Sequence, residues 1–422
     1  MALTKKSYKE RIIDKKIAEY LNIFGAISIE GPKWCGKTWT ALNHANSVVY
    51  LNNTANNFNE KKLAETDIEL ILNKDFPELI DEWQEVPAIW DGVRFKCDVD
   101  KVKGKYILTG SATPIDKDIH HSGAGRIARM KMYTMSLYES GESEGLVSIK
   151  ELFENKIENK LTKEVSLSEL IKYIMRGGWP ESIGMTKDQA QELSYNYLED
   201  VLKHDISAID GVNRDINKMR MILRSLARNE STIVSDTTII KDVNDNEDVV
   251  SKNTILEYID VLEKLYIIEN QPAFSTNLRS SGRVGKSVKR HFTDPSLACA
   301  VLNLTEEKLL NDFNFLGFLF EALVERDLRI YIESLKGNIF HFRDNTSGLE
   351  IDAILELSNG DYGAIEIKLG TDKIEEAAKN LLKFSDVAVK KPKFLCVICG
   401  LSTSIIKRED GVYVIPLTAL KP

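Results

Sequence analysis

The sequence predicts a multi-unit α/β protein, and three observations carry that expectation. Short apolar segments alternate with helical ones up to about residue 150, a mostly helical stretch follows, and roughly the last hundred residues return to strands. At 422 residues the chain is too long for one core. Hydrophobic residues at 43% and charged residues at 28% fit folded units rather than disorder. A net charge of −8 excludes a surface that is basic throughout, though not local basic clusters. No run approaches the ~20 apolar residues of a membrane-spanning helix. The N-terminus MALTKKSYKERIIDKK has no apolar signal core, so a cytoplasmic location with no membrane contact is expected.

The elements follow in order. Apolar spacing in YKERIIDKKIAEYLNI (8–23) predicts a lead-in helix. AISIE (26–30), SVVYLN (47–52), ELID (78–81), KYILTG (105–110) and RMKMYTMSLYE (129–139) predict strands. With helices between them they point to a parallel sheet over residues 1–150. Residues 151–212 read as a helical lid or linker, in which Gly177-Gly178-Trp179-Pro180 separates two helical runs. Residues 213–310 read as helices followed by a strand and a basic hairpin, with Ile255, Ile259, Leu262 and Tyr266 sharing one helix face. Residues 311–422 open with the helix FLGFLFEALVERDL and continue as strands. The five scattered cysteines read as reduced thiols, and Cys396 and Cys399 as part of a buried strand rather than a metal site.

The chemistry concentrates first at Gly31-Pro32-Lys33-Trp34-Cys35-Gly36-Lys37-Thr38, which fits GxxxxGK[ST]. A strand precedes it and a helical segment follows, the context a phosphate-binding loop requires. Loop N–H groups and the helix N-terminus would cradle phosphates, Lys37 would neutralise the β- and γ-phosphates, and Thr38 Oγ would bind Mg²⁺. ATP and Mg²⁺ are therefore the expected ligands. In ELIDEW, Asp81 would hold the Mg²⁺ through water, and Glu82 would polarise the attacking water as general base. Thr109 and Ser111 end the strand KYILTGS, and Arg126 and Arg129 in SGAGRIARM come before the next strand.

The segments GPKWCGKT, LIDEWQEVPAIWDGVRF, YILTGSATP and GAGRIARMKMYTMSLYE resemble the AAA-superfamily ATPases of bacteria and archaea that carry a C-terminal domain of unknown function. RGGWPE (176–181) and YIDVLEKLYII (258–268) extend the likeness over nearly the whole chain. The resemblance implies an ATP-hydrolysing core in which the strand bearing Thr109 and Ser111 lies between the loop strand and the acidic strand, with its tip at the γ-phosphate. It also implies that Arg126, or else Arg129, completes a neighbouring subunit's site, and hence a homo-oligomer. For the middle region it implies a winged helix.

Two further clusters extend the expectation toward nucleic acid. NLRSSGRVGKSVKR (277–290) carries Arg279, Arg283, Lys286, Lys289 and Arg290 without an acid, a candidate phosphate-contacting wing that makes DNA the expected partner. A protein-docking hairpin remains the alternative. Near the C-terminus, alternation puts Glu350 and Asp352 on one strand face, and Glu366 and Lys368 on one face of the next, joined by an Asn359-Gly360 turn. With Glu321 from the preceding helix, these residues resemble the D…(D/E)xK core of restriction-endonuclease-like folds. The resemblance implies a second divalent-metal site, formed by Glu321, Asp352 and Glu366 with Lys368 stabilising phosphate charge. The main expectation is a Mg²⁺-dependent ATP-hydrolysing protein that repositions winged-helix and nuclease-like modules on DNA. A nucleotide-gated protein-interaction switch and an ATP-regulated metal-dependent nuclease are the alternatives.

Overall fold

Five apolar runs separated by helices build the N-terminal sheet: β1 (Ala26–Glu30), β2 (Ser47–Tyr50), β3 (Glu78–Asp81), β4 (Tyr106–Gly110) and β5 (Ile127–Lys131). The computed structural model describes residues 7–54, 57–111, 119–209, 211–244, 250–275, 288–344 and 346–422. All pairings in this sheet are parallel, in the order β2-β3-β4-β1-β5. β1 is buried along its whole length, because helices cover both faces of the sheet. Trp83, Ile89, Trp90 and Tyr106 pack on one face. On the other, Ile27, Ala41, Ile107 and Met130 pack against Ile17 of the lead-in helix Ile13–Ile23. The long strand expected at 129–139 is cut short. Ser136 and Glu139 form a reciprocal capping box, which starts the helix Leu137–Ser140 instead.

Two short strands follow, β6 (Val147–Ser148) and β7 (Lys160–Leu161), and then the helices of the middle region. Leu167–Arg176 and Lys187–Asp200 both begin with capping boxes. Ile216–Arg228, Asp236–Asn244 and Lys252–Lys264 lead into an antiparallel ribbon of β8 (Ile268–Gln271) and β9 (Lys289–Phe292). Ile255, Ile259 and Leu262 are buried on one face of Lys252–Lys264, as the spacing predicts. Tyr266 lies past the end of that helix at φ +56°, so it belongs to the turn and not to the helical face.

The 22-residue helix Phe313–Ser334 precedes the C-terminal strands. These are β10 (Asn338–Arg343), β11 (Glu350–Glu356), β12 (Tyr362–Lys368), β13 (Leu395–Cys399), β14 (Ser404–Lys407), β15 (Tyr413–Pro416) and β16 (Leu420–Lys421). The mixed sheet runs β10-β11-β12-β13-β15-β14-β7, so the early strand β7 closes its edge, while β16 pairs with β6. Cys396 and Cys399 lie in β13 as free, buried thiols.

One apolar core runs from Leu137 to Leu420, through the middle helices and one face of the C-terminal sheet. Asp294 fastens the parts together. Its Oδ2 accepts from Thr134 Oγ1 at 2.8 Å, Gly178 N at 2.9 Å and Arg326 Nη1 at 3.0 Å. Burial opposes ionisation of Asp294, but Arg326 and the donors of Ser296 and Gly178 outweigh it and hold the carboxyl below its usual range. A Cβ at residue 178 would lie 2.0 Å from Met135 O, so only glycine fits this junction. Among the described residues, no helix is long and apolar enough to cross a membrane.

Candidate functional site

The loop 31–38 leaves the C-terminal end of β1 and turns directly into the helix Lys37–His44. Gly31 stands at φ +151°, and a Cβ there would meet Met132 O at 2.1 Å, so the loop closes only with glycine. Trp34 holds a left-handed φ of +64° within the same turn. Lys37 Nζ donates to the carbonyls of Gly31, at 3.0 Å, and Pro32, at 2.7 Å. The loop is thus curled around its own ammonium. Lys33 pairs with Asp205 at 2.5 Å, in the π-helical turn Val201–Asp205 that extends the helix Lys187–Asp200.

β4 lies between β1 and β3, so the acidic strand end and the polar tip of β4 stand side by side. Asp81 Oδ1 accepts from Thr38 Oγ1 at 2.8 Å and from Thr109 Oγ1 at 2.6 Å. Burial raises the Asp81 carboxyl, opposed by the Thr109 and Thr38 hydroxyls and by Lys37. Glu82 has φ +57° and donates its N–H to Thr109 Oγ1 at 3.2 Å. Its Oε2 accepts from Ser111 Oγ at 3.0 Å and from the Gln84 amide. Thr109 is fully buried beneath the acidic pair and positions it, whereas Ser111 faces the adjacent cavity.

That cavity is about 620 Å³, within the range of small-molecule sites. Lys37, Thr38, Glu82, Ser111, Trp34 and Trp39 line it, together with Pro180 and Glu181 at the end of the Gly-Gly-Trp-Pro segment. Cys35 contributes its carbonyl rather than its thiol: Arg11, 5% exposed, donates to it at 2.7 Å while pairing with Glu139 at 2.9 Å. Arg11 and Gln84 are the members that sequence reading missed. An arginine just ahead of the lead-in helix and a glutamine after an acidic pair carry no spacing signal, although Gln84 stands only two residues beyond Glu82.

Arg126 lies away from this cavity. Its carbonyl accepts from Ala26 N at 3.1 Å, which puts it at the opposite end of the sheet from the loop, and its Nε pairs with Asp98 at 2.7 Å. Arg129 falls inside β5 rather than ahead of it. Its guanidinium sits 4.4 Å from the Trp90 ring centre and 3.2 Å from Glu30.

Family comparison fits this geometry: the AAA domain family matches residues 24–141. The chain carries an AAA domain. The domain of unknown function DUF8612 matches residues 167–308, and the domain of unknown function DUF4143 matches residues 316–420. The protein therefore joins an AAA domain to a C-terminal domain of unknown function, as the sequence resemblance implies. No curated protein matches the sequence. Among solved structures, the Walker-type ATPase PABY2304 of Pyrococcus abyssi is 14% identical at a TM-score of 0.42, over 68% of this chain and 94% of that one. A replication initiator DnaA bound to AMPPCP and single-stranded DNA is 12% identical at 0.29, over 62% and 91%. Drosophila ORC bound to DNA is 13% identical at 0.25, over 72% and 94%. The strand order fixes the fold of the AAA domain, not these low-scoring likenesses.

The C-terminal acids also come together. Lys368 Nζ lies 3.1 Å from Asp352 Oδ2 and 2.6 Å from Glu366 Oε2, and Ile367 N donates to Asp352 at 2.8 Å. Glu321 meets Lys289 at 2.5 Å, whereas Glu350 stands off, 3.9 Å from Lys289. Burial, then the Asp352 charge, pushes Glu366 up to about 8. The expected second metal site is not built. Ammonium groups stand among the acids, and among the described residues no group of three His, Cys, Asp or Glu side chains is arranged to hold a metal ion. The expected wing also changes character. Lys289 is buried and Arg290 pairs with Asp236 at 2.8 Å, so neither is free for phosphate; Arg279, Arg283 and Lys286 lie outside the described residues.

Proposed function

We propose that the AAA domain binds and hydrolyses ATP with Mg²⁺, and that the change in bound nucleotide is passed to the middle and C-terminal units, which act on DNA. One observation carries the first part: Thr38, Asp81 and Thr109 share a hydrogen-bonded corner beside a cavity that Lys37 and Glu82 line. The two oxygen donors, Thr38 Oγ1 and Asp81 Oδ1, suit a magnesium ion, which when bound supplies neutralisation of phosphate charge. Lys37 exchanges its two carbonyl acceptors for phosphate oxygens. Glu82 takes a proton from the attacking water once Ser111 and Gln84 release its carboxylate to the cavity. Thr109 keeps Asp81 aligned throughout.

Glu82→Gln tests this reading, since it keeps shape and loses basicity. ATP should still bind, while turnover falls by roughly 10²–10⁴-fold. Turnover equal to the parent's refutes the assignment. Transmission has a route through the lid: Lys33 contacts Asp205, and the ring of Trp34 lies 5.6 Å from that of Tyr197.

The DNA part rests on the order of three helices and an antiparallel ribbon in the middle region, read as a winged helix, and on the basic segment before β9. Charge-neutralising Arg279, Arg283 and Lys286 should abolish DNA binding. Unchanged DNA binding, or none in the parent, favours the nucleotide-gated protein-interaction switch.

A further inference from the structure

The ribbon of β8 and β9 meets the C-terminal sheet at a charged contact that ATP hydrolysis does not use. Lys289, 1% exposed, extends from β9 to the helix Phe313–Ser334, where its Nζ lies 2.5 Å from Glu321 Oε1. Two strand positions on, His291 faces the same interior and lies 3.2 Å from Gln271 Oε1. Gln271 Nε2 in turn donates to the carbonyls of Phe340 at 3.0 Å and Asp352 at 3.1 Å. The ribbon is thus stitched onto the strand that carries Asp352, with Lys289 inserted at the seam.

Every acid of the cluster already has an ammonium at contact distance. Glu321 has Lys289 at 2.5 Å; Asp352 and Glu366 have Lys368 at 3.1 and 2.6 Å. A divalent ion would stand about 2.0–2.6 Å from the same oxygens, in space these nitrogens occupy. It would also bring two positive charges toward two that are fixed there.

We propose that Lys289 is the resident cation of the C-terminal acid cluster, standing where a divalent metal would otherwise bind and locking the β8–β9 ribbon to the C-terminal sheet. The acid-and-lysine pattern then serves assembly of this chain rather than metal-dependent cleavage. Removing Lys289 strands Glu321 without its partner and opens the space to an external divalent ion.

Mn²⁺ titration of the full-length, nucleotide-free chain, read by electron paramagnetic resonance and calorimetry, tests the proposal. The parent and Asp352→Asn should give superimposable titrations. Lys289→Ala should gain one Mn²⁺ site at least ten-fold tighter than any the parent shows, and adding Asp352→Asn should remove it. Lys289→Arg, which retains the charge, should keep the parent's Tm and gain no site. A parent Mn²⁺ site that disappears in Asp352→Asn overturns the proposal, as does a folded Lys289→Ala protein with no added site. If Lys289→Ala does not fold, the parent titration and the arginine variant still decide: a metal site at Asp352, or a Lys289→Arg protein as unstable as Lys289→Ala, sinks the idea.

Discussion

The AAA domain and the C-terminal domain each place lysine beside paired carboxylates at strand positions, yet the two arrangements are electrostatically different. Lys37 is held by two neutral carbonyls, those of Gly31 and Pro32, next to a cavity of about 620 Å³. Lys289, which is buried, and Lys368, which is half-buried, are instead held by carboxyl groups. A carbonyl is an acceptor that a phosphate oxygen can replace at modest net cost, because the ammonium stays hydrogen-bonded throughout. A buried carboxylate cannot be replaced in this way, since its removal leaves an uncompensated charge. Whether the cation's partner is a dipole or a charge separates a binding site from a fastening.

The largest effect should come from an arginine that neither arrangement contains. Arg126 sits at the opposite end of the sheet from its own loop, away from the phosphates that loop would hold. If it acts in trans, Arg126→Ala should cost about 10³-fold in ATP turnover, and activity per subunit should rise with protein concentration. Mixing Arg126→Ala with Lys37→Ala subunits should then recover part of the activity, because one interface pairs an intact loop with an intact arginine. Mixtures that assemble and recover nothing would remove Arg126 from the mechanism.

Next in size is a double dissociation between the lysines. Lys37→Ala forfeits two charge-assisted bonds, each worth roughly 1.5–3 kcal/mol, so ATP affinity should fall at least about 100-fold while the thermal midpoint stays near the parent's. Lys368→Met should do the reverse, leaving ATP affinity within two-fold and costing roughly 3 kcal/mol of stability through Asp352, whose carboxylate loses its ammonium. Calorimetric titration and denaturant unfolding of both variants would check this. ATP binding lost in Lys368→Met would erase the distinction drawn between the two regions.

Much of the AAA domain is legible in the sequence because its signals are local. The loop spacing, the acidic pair and the polar strand tip each fall within a few residues, and strand–helix alternation gives the parallel sheet. The C-terminal strands and the meeting of Asp352, Glu366 and Lys368 follow equally from alternation and the Asn359-Gly360 turn. What the sequence conceals is long-range. Lys289 reads as one more basic residue of a hairpin, and nothing within ten positions of it reveals that Glu321 and Asp352 await it across the fold. Arg326, Asp294 and Gly178 meet from three distant segments for the same reason. The strand expected at 129–139 fails on a local signal that was present, since Ser136 and Glu139 have the spacing of a capping box.

The smallest predicted effect concerns a carboxyl group that, among the described residues, has neither a phosphate cavity nor an ammonium at ion-pair distance. Glu78 begins β3, three residues before Asp81, and is fully buried. Among the described residues, its Oε2 accepts from Lys74 N at 3.3 Å and its Oε1 has no hydrogen-bond partner. Burial raises it from 4.5 to about 7, with Lys74 and Lys105 opposing and Glu60 adding to the rise. Because the folded-state value lies above the unfolded one, the folded protein retains a proton that the unfolded chain has released. Stability from this group is therefore complete below about pH 4.5 and is lost as pH rises through about 7. Between pH 6 and 8 the loss should be about 1.4 kcal/mol. Glu78→Gln, neutral at every pH, should abolish that slope and leave ATP affinity unchanged. Urea unfolding of parent and variant at pH 6, 7 and 8 would measure it. Parallel pH profiles would mean that Glu78 gives up its proton in the fold as readily as in the unfolded chain, so that its burial is compensated.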